Sequence, residues 1–320
     1  MTSRPQIEAA AARIHSHGRV TPILSSPDLD AVAGRRVLVK AECLQHTGSF
    51  KFRGAWNAIS AMDPDKRNRG VIAFSSGNHA QGVANAARAH GIPALIVMPS
   101  DAPALKIANT RALGAQVVLY NRATEDRESV AASLARDLTL IRPFDDPMVI
   151  AGQGTLGLEV AAQVKDTPAD VLICCGGGGL TSGVALALEG TTLRARPVEP
   201  EGFDDVTRSL NSGQIKENAQ VSGGLCDAII TQRPGDITFP IMRRLCGPGI
   251  VVTEDEALRA MALAFTRLKI VIEPGGAVAL AAALFHGDAI DGDTVVAVAT
   301  GGNVDTTVFQ TALHRHGEAP

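Results

Sequence analysis

Short β-branched runs alternate along this chain with glycine-bearing turns and alanine-rich amphipathic stretches, and few folds are open to a chain written that way. Val37-Leu38-Val39-Lys40 predicts a strand, and residues 49–62 after it a helix. The same pairing recurs at 70–74 and 78–90, at 94–98 and about 103–113, at 116–120 and about 124–138, and at 171–175 and 180–189. Residues 294–299 predict a late strand. Strand followed by helix, repeated, calls for an α/β fold with a mostly parallel sheet and helices on both faces. Aromatic residues make up only 3% of the 320 residues, so Ala, Val, Leu and Ile must fill the core; that suits helices laid on parallel strands. Pro103 is expected in the first turn of its helix, and Gly91 and Gly114 stand where left-handed helix caps are wanted. Pro99 and Pro143 close strand-to-loop passages. The block 69–143 holds three compact strand–helix units, flanked by the strands of 1–68 and 144–320. We therefore expect a small domain (69–143) inserted into a larger split domain (1–68 and 144–320), with the cleft between them as the default site.

Charge and cysteine usage narrow the class. The formal net charge is -3 with acids and bases mixed along the chain, which asks for neither nucleic acid nor an anionic membrane. The five cysteines are odd in number and show no C-x-x-C spacing, so a reducing, cytoplasmic setting is expected rather than a disulfide framework. Cys174 and Cys175 sit in an apolar run and are expected in a buried strand. Residues 1–14 read as a helix rather than a signal peptide. The apolar stretch 277–285 is too short to span a bilayer.

Four strings concentrate the chemistry. In Ile173-Cys174-Cys175-Gly176-Gly177-Gly178-Gly179-Leu180 a buried strand runs into four glycines and then a helix. Such a loop brings bare backbone N–H groups and the positive end of a helix to one place, which suits a phosphate; a tight structural turn would give the same letters. It is neither a Walker loop nor a G-x-G-x-x-G dinucleotide fingerprint. In Ser49-Phe50-Lys51-Phe52-Arg53, Ser49 is expected to cap a helix carrying Lys51 near its positive end. Lys51 and Arg53 read either as two surface side chains or as a site whose amine has a lowered pKa, ready for imine formation. Ser75-Ser76-Gly77-Asn78-His79 again joins a strand to a helix and offers more polar groups than an N-cap needs, a set fitted to a carboxylate. Thr300-Gly301-Gly302-Asn303-Val304-Asp305 follows an apolar strand, as a ligand contact or a plain loop would.

SFKFRGA, SSGNHAQG, GGGGLTSG and TGGNVD, in that order across residues 10–305, resemble the serine/threonine dehydratase and serine racemase family of fold-type II pyridoxal-phosphate enzymes, 3-hydroxyaspartate dehydratase-like members included. The resemblance implies two open, mostly parallel twisted sheets of the tryptophan synthase β kind and the cofactor pyridoxal 5'-phosphate. It implies that Lys51 binds the cofactor aldehyde and moves the Cα proton, that Phe50 packs beside the ring, and that Asn78 hydrogen-bonds its phenolic oxygen. Gly176, Gly177, Gly178 and Gly179 would hold the phosphate, and Thr300 would face the pyridine nitrogen. Ser75, Ser76, Asn78 and His79 would surround the substrate carboxylate, with Ser76 as the second acid/base group on the opposite face. Arg127 matches the region where family racemases carry an arginine near the substrate side chain; an arginine there could grip a second carboxylate bidentately, which would favour 3-hydroxyaspartate beside serine and threonine, and an exposed helix arginine is the other reading. Glu199, Phe203 (through its carbonyl) and Asp205 resemble the family's loop for Mg2+, with Ca2+ or Mn2+ as alternatives; a solvated acidic loop is the plain reading. Where the family often has Ala-Asp-Gly, this chain has Cys226-Asp227-Ala228, which is expected to shift the backbone near the cofactor. Little chain follows Asp305, so feedback control by isoleucine is not expected. A homodimer is the family's usual assembly.

The activity implied is loss of water and ammonia from a small hydroxy amino acid: L-serine, L-threonine or 3-hydroxyaspartate. A neutral Thr300 cannot hold a pyridinium proton by charge, which favours prompt departure of a β-leaving group over transamination. Racemisation of serine or aspartate by Lys51 and Ser76 is the runner-up. A non-catalytic amino-acid sensor and a nicotinamide oxidoreductase are rivals from other classes; the intact Lys51 and the absent dinucleotide fingerprint speak against them.

Overall fold

The computed structural model describes residues 2–317 apart from Ser76, Pro103, Arg122, Ala123 and Asp166, and leaves aside the side chains of Leu105, Arg127 and Glu128. The chain opens with α1 (Arg4–Ile14), β1 (Ile23–Leu24), α2 (Pro27–Ala33), β2 (Arg36–Ala41), α3 (Lys51–Ser60) and α4 (Pro64–Arg69). Next come β3 (Val71–Phe74), α5 (Asn78–Ala89), β4 (Ala94–Pro99), α6 (Ala104–Ala112), β5 (Gln116–Tyr120), α7 (Arg127–Ala135) and β6 (Thr139–Leu140). The remainder is α8 (Pro147–Val164), β7 (Ala169–Cys174), α9 (Gly179–Leu188), β8 (Leu193–Pro200), α10 (Asp205–Ser212), α11 (Thr238–Leu245), β9 (Ile250–Val252), α12 (Glu254–Leu263), α13 (Pro274–Phe285), β10 (Thr294–Ala299) and α14 (Thr306–His316).

The strands form two sheets. One has six strands in the order β1-β2-β10-β7-β8-β9, the other four in the order β5-β4-β3-β6. Every pairing is parallel except β1 with β2. Both central strands follow from burial on two faces: all residues of β3 and of β7 are buried, so each is a continuous apolar run rather than an alternating one. The expected strands and helices exist within a few residues of their predicted bounds, and Gly91 and Gly114 adopt positive φ after their helices. Pro103 lies outside the described residues.

Several elements have no amphipathic signature because they have no wet face. α13 is buried from Pro274 through Leu284, and such a helix reads in sequence only as a short apolar run. α8 and α9 pack on each other through glycines: a Cβ on Gly183 would run into the Ile150 carbonyl and lie 2.7 Å from the Gly154 nitrogen. Among the described residues no helix is long and apolar enough to cross a membrane. Gly183→Ala must force α8 and α9 apart, and overpacking of this kind costs about 1–3 kcal/mol. The check is urea unfolding of the variant; an unchanged midpoint would contradict the packing described.

Candidate active site

Three loops leave the carboxyl ends of parallel strands and meet in one cavity. They follow β3 (Ser75, Gly77), β7 (Cys175 to Gly178) and β10 (Asn303). Ligand sites in open parallel sheets lie at such ends, because the helices that follow turn their N-termini there. Lys51, Phe50, Asn78, His79, Gly176, Gly177, Gly178 and Gly179 all line the cavity.

Lys51 is the first residue of α3. Its Nζ donates to the carbonyl of Pro143 at 2.9 Å and lies 5.1 Å from the centre of the Phe50 ring. Burial pushes its pKa down to about 8, with Glu273 opposing. Position 49 departs from expectation. Phe50 occupies the cap position, and Ser49 ends a preceding turn with its hydroxyl buried and unpaired. Backbone pairing of Ser49 with Gly301 holds it there instead.

Arg53 departs from both readings of its segment. It is fully buried, and its guanidinium is clamped between Glu42 (2.8 Å) and Glu159 (2.7 Å). Lys40 completes the group, donating to Glu159 at 2.6 Å and to Gln163 at 2.9 Å. Two cations and two carboxylates thus neutralise one another under α3, and Arg53 holds the Glu42 carboxyl below its ordinary range against the effect of burial.

The tetraglycine loop fits an anion. Gly178 has φ +88°, a left-handed conformation suited to glycine, and a Cβ on Gly177 would run into the Phe144 ring. Among the described residues the N–H groups of Gly176, Gly177 and Gly178 have no acceptor. They stand at the start of the fully buried helix α9. Across the cavity, α5 starts at Asn78 and presents a second helix N-terminus, with the Ser75 hydroxyl accepting from the Gly77 N–H at 3.2 Å. His79 is held neutral: burial, then repulsion by Lys51, pushes it down to about 3. Its Nε2–H must donate to the Ile141 carbonyl, 2.9 Å away, which leaves Nδ1 a bare, unpaired acceptor. The imidazole therefore cannot grip a carboxylate by charge, and the backbone N–H groups of the α5 first turn are left for that task.

Asn78 is aimed by two partners. Its Nδ2 donates to Glu273 Oε1 at 2.5 Å, and its Oδ1 accepts from Asn303 at 2.7 Å. One amide hydrogen remains for a ligand. Glu273, the N-cap of α13, is pushed up to about 7 by burial. Thr300 is buried behind the cavity wall; its carbonyl accepts from the Phe50 N–H at 3.1 Å, and its hydroxyl sits by the Cys174 thiol. Cys174 itself reaches the cavity, and burial pushes its thiol up to about 11. Ala228, of the Cys226-Asp227-Ala228 departure, lies in a 3-10 turn on the wall. Ser76 and the Arg127 side chain lie outside the described residues.

Sequence reasoning missed Glu273, Phe144 and Lys106, which all line the cavity, and placed Asp227 near the cofactor only as part of the Cys226-Asp227-Ala228 string. Glu273 had one signal, a lone acid before Pro-Gly-Gly inside an apolar stretch. The others come from segments with no motif.

Glu199, Phe203 and Asp205 stand apart, at the end of β8 and the start of α10. Glu199 is fully buried and accepts from the N–H groups of Val206 (2.8 Å) and Thr207 (2.6 Å). Asp205 Oδ1 accepts from Asn218, while Oδ2 is buried with no partner. Burial, and then Asp205, pushes Glu199 up to about 8; burial pushes Asp205 up to about 7. Among the described residues no three His, Cys, Asp or Glu side chains form a metal cluster.

A buried lysine between two helix N-termini, on a fold of two mostly parallel sheets, fits an enzyme that holds an anionic cofactor beside an amine. The chain belongs to the pyridoxal-phosphate dependent enzyme family, whose model matches residues 14–301. It is 43% identical over 318 residues to the L-threo-3-hydroxyaspartate ammonia-lyase of Pseudomonas sp, covering 98% of this chain and 99% of that one. It is 38% identical to the serine racemase of Oryza sativa subsp. indica, covering 97% and 93% of the two chains. The crystal structure of a threonine deaminase from T.th. superposes with a TM-score of 0.89 at 44% identity, over 95% of this chain and 99% of that one.

Two outcomes follow from this geometry. Glu42→Ala leaves Arg53 half-paired in the interior, which should lower stability by about 3–5 kcal/mol; denaturant unfolding measures it, and a loss no larger than for a surface substitution would refute the burial of that charge. Only the unprotonated amine attacks an aldehyde, so capture of pyridoxal phosphate by the apoprotein should quicken as pH rises to about 8 and level off above it, following Lys51. The rise of the imine absorbance reports the rate.

Proposed function

We propose that this protein is a pyridoxal-phosphate lyase that eliminates water and ammonia from a small β-hydroxy amino acid, giving the 2-oxo acid and ammonium. The observation that carries this reading is the placement of Lys51 between two anion-binding helix starts, one from each sheet. When bound, pyridoxal phosphate supplies the electron sink for negative charge at Cα. The residues of the chain do the rest. The N–H groups of Gly176 to Gly179 hold the phosphate without charge. The remaining amide hydrogen of Asn78 meets the phenolic oxygen, its direction set by Glu273 and Asn303. The first turn of α5, with Ser75, holds the substrate carboxylate and so places Cα beside Lys51. Lys51, with its pKa near 8, takes the Cα proton at Nζ; base catalysis of this kind is worth about 10²–10⁴-fold.

L-Serine, L-threonine and 3-hydroxyaspartate are the substrates we assign, the last supported by the name of the Pseudomonas relative. Racemisation, with Ser76 moving the proton on the opposite face, is a second reading supported by the rice relative. A hard cation such as Mg2+ fits between Glu199 and Asp205: two buried carboxylates and an unpartnered Asp205 Oδ2 call for a positive charge, with the Phe203 carbonyl and water completing the shell. The segments carrying 1–68 and 144–320 form the larger domain and 69–143 the smaller. A homodimer follows the family's usual assembly, and a cytoplasmic setting is supported by five free thiols.

The pure protein should release oxo acid and ammonium from at least one of the three substrates. Lys51→Ala should abolish release and the borohydride-sensitive imine band together, and a chelator should lower the melting temperature in a way that Mg2+ restores. Turnover that survives in Lys51→Ala would overturn the assignment.

A further inference from the structure

The cavity contains a cation that the elimination chemistry leaves unused. Among the described residues lining it, the cationic side chains are Lys51 and Lys106, since His79 is neutral. Lys51 is committed to the cofactor. Lys106 reaches in from α6, on the four-stranded side, and its side chain is only 13% exposed. Its Nζ donates to Asp227 Oδ2 at 3.1 Å. Asp227 lies on the opposite wall, in the turn after Cys226, and is 61% exposed. Asp305 and Glu273 also act on the amine, and together with Asp227 they hold it charged against the effect of burial.

This pair is unequal. A well-hydrated carboxylate contributes little to an ion pair, because water competes for it on every free side. A nearly buried ammonium gains more from an anion that is itself taken out of water. The substrate's first carboxylate needs no cation, because the start of α5 supplies N–H donors. A second carboxylate has no comparable set of donors among the described residues of the cavity other than Lys106.

We propose that Lys106 is the specificity-determining residue for a dicarboxylic substrate, exchanging Asp227 for the side-chain carboxylate of a 3-hydroxyaspartate-type amino acid. Monocarboxylic serine and threonine leave the Lys106–Asp227 pair intact. The inference rests on the β-elimination reading above and names the substrate class for the same site. It makes the two partners act in opposite directions: the lysine attracts the second carboxylate, and the aspartate competes with it.

The test uses the holoenzyme as wild type, Lys106→Gln and Asp227→Asn, each assayed for oxo-acid release from 3-hydroxyaspartate and from L-serine. Loss of one charge-assisted bond is worth about 10–100-fold. Lys106→Gln should raise KM for 3-hydroxyaspartate by that factor and change KM for serine less than about threefold. Asp227→Asn should lower KM for 3-hydroxyaspartate. Succinate, a dicarboxylate that cannot react, should raise the melting temperature of wild type and of Asp227→Asn but not of Lys106→Gln. Parallel losses on both substrates in both variants would mean that the pair only ties the two walls together, and would overturn the proposal. So would a Lys106→Gln enzyme with unchanged preference. Wild-type protein that releases oxo acid from no substrate would remove the elimination reading itself, a result distinct from either.

Discussion

A guanidinium with no access to water holds this site in place. Arg53 lies two residues beyond Lys51 on α3, fully buried, and draws its two carboxylate partners from different parts of the chain: Glu42 before the helix and Glu159 on α8. Lys40 binds the same Glu159 from β2. A charge buried this deeply is tolerable only if its partners are fixed, so the strand, the turn and both helices are locked into one arrangement. The amine of Lys51 inherits that precision. Its pKa is lowered by surroundings that cannot relax, which keeps it ready to react near neutral pH.

The rest of the site follows from topology. Each sheet is parallel around the cavity, so each strand there ends where a helix begins, and the beginnings of α5 and α9 bring unpaired N–H groups to the same place. Two anions can be held without spending a positive side chain on either. The cationic groups are thereby released for tasks that need a proton or a countercharge. In the reaction proposed above, Lys51 moves the one, and Lys106 offers the other. The amide of Asn78, braced on both sides by Glu273 and Asn303, adds direction to a cavity otherwise lined largely with backbone and apolar groups.

The fold and the centre of the site were legible because both are written in local letters. The strand–helix rhythm needs only neighbours to be read, and so do the glycines before α9, whose backbone conformation is a local demand. Legibility ended where partners are distant. Arg53 lies 106 residues from Glu159 in sequence, and nothing near position 53 announces a buried ion pair. Lys106 reaches the cavity from a segment with no motif, and Glu273 from one marked only by a lone acid before Pro-Gly-Gly. α8 and α13 have little polar face to mark their period, since α13 is enclosed on all sides and α8 packs through glycines. The capping role expected of Ser49 failed for a tertiary reason: its backbone pairs with Gly301.

The thiol of Cys174 shares the cavity with the Lys51 amine, and their environments have drifted in opposite directions, to about 11 for the sulfur and about 8 for the nitrogen. In free amino acids the sulfur would surrender its proton first. Here that ranking is inverted. For an aldehyde bound in that chamber, a thiol that burial keeps protonated is a poor competitor for an amine beside it, so the enclosure favours attachment at nitrogen over sulfur.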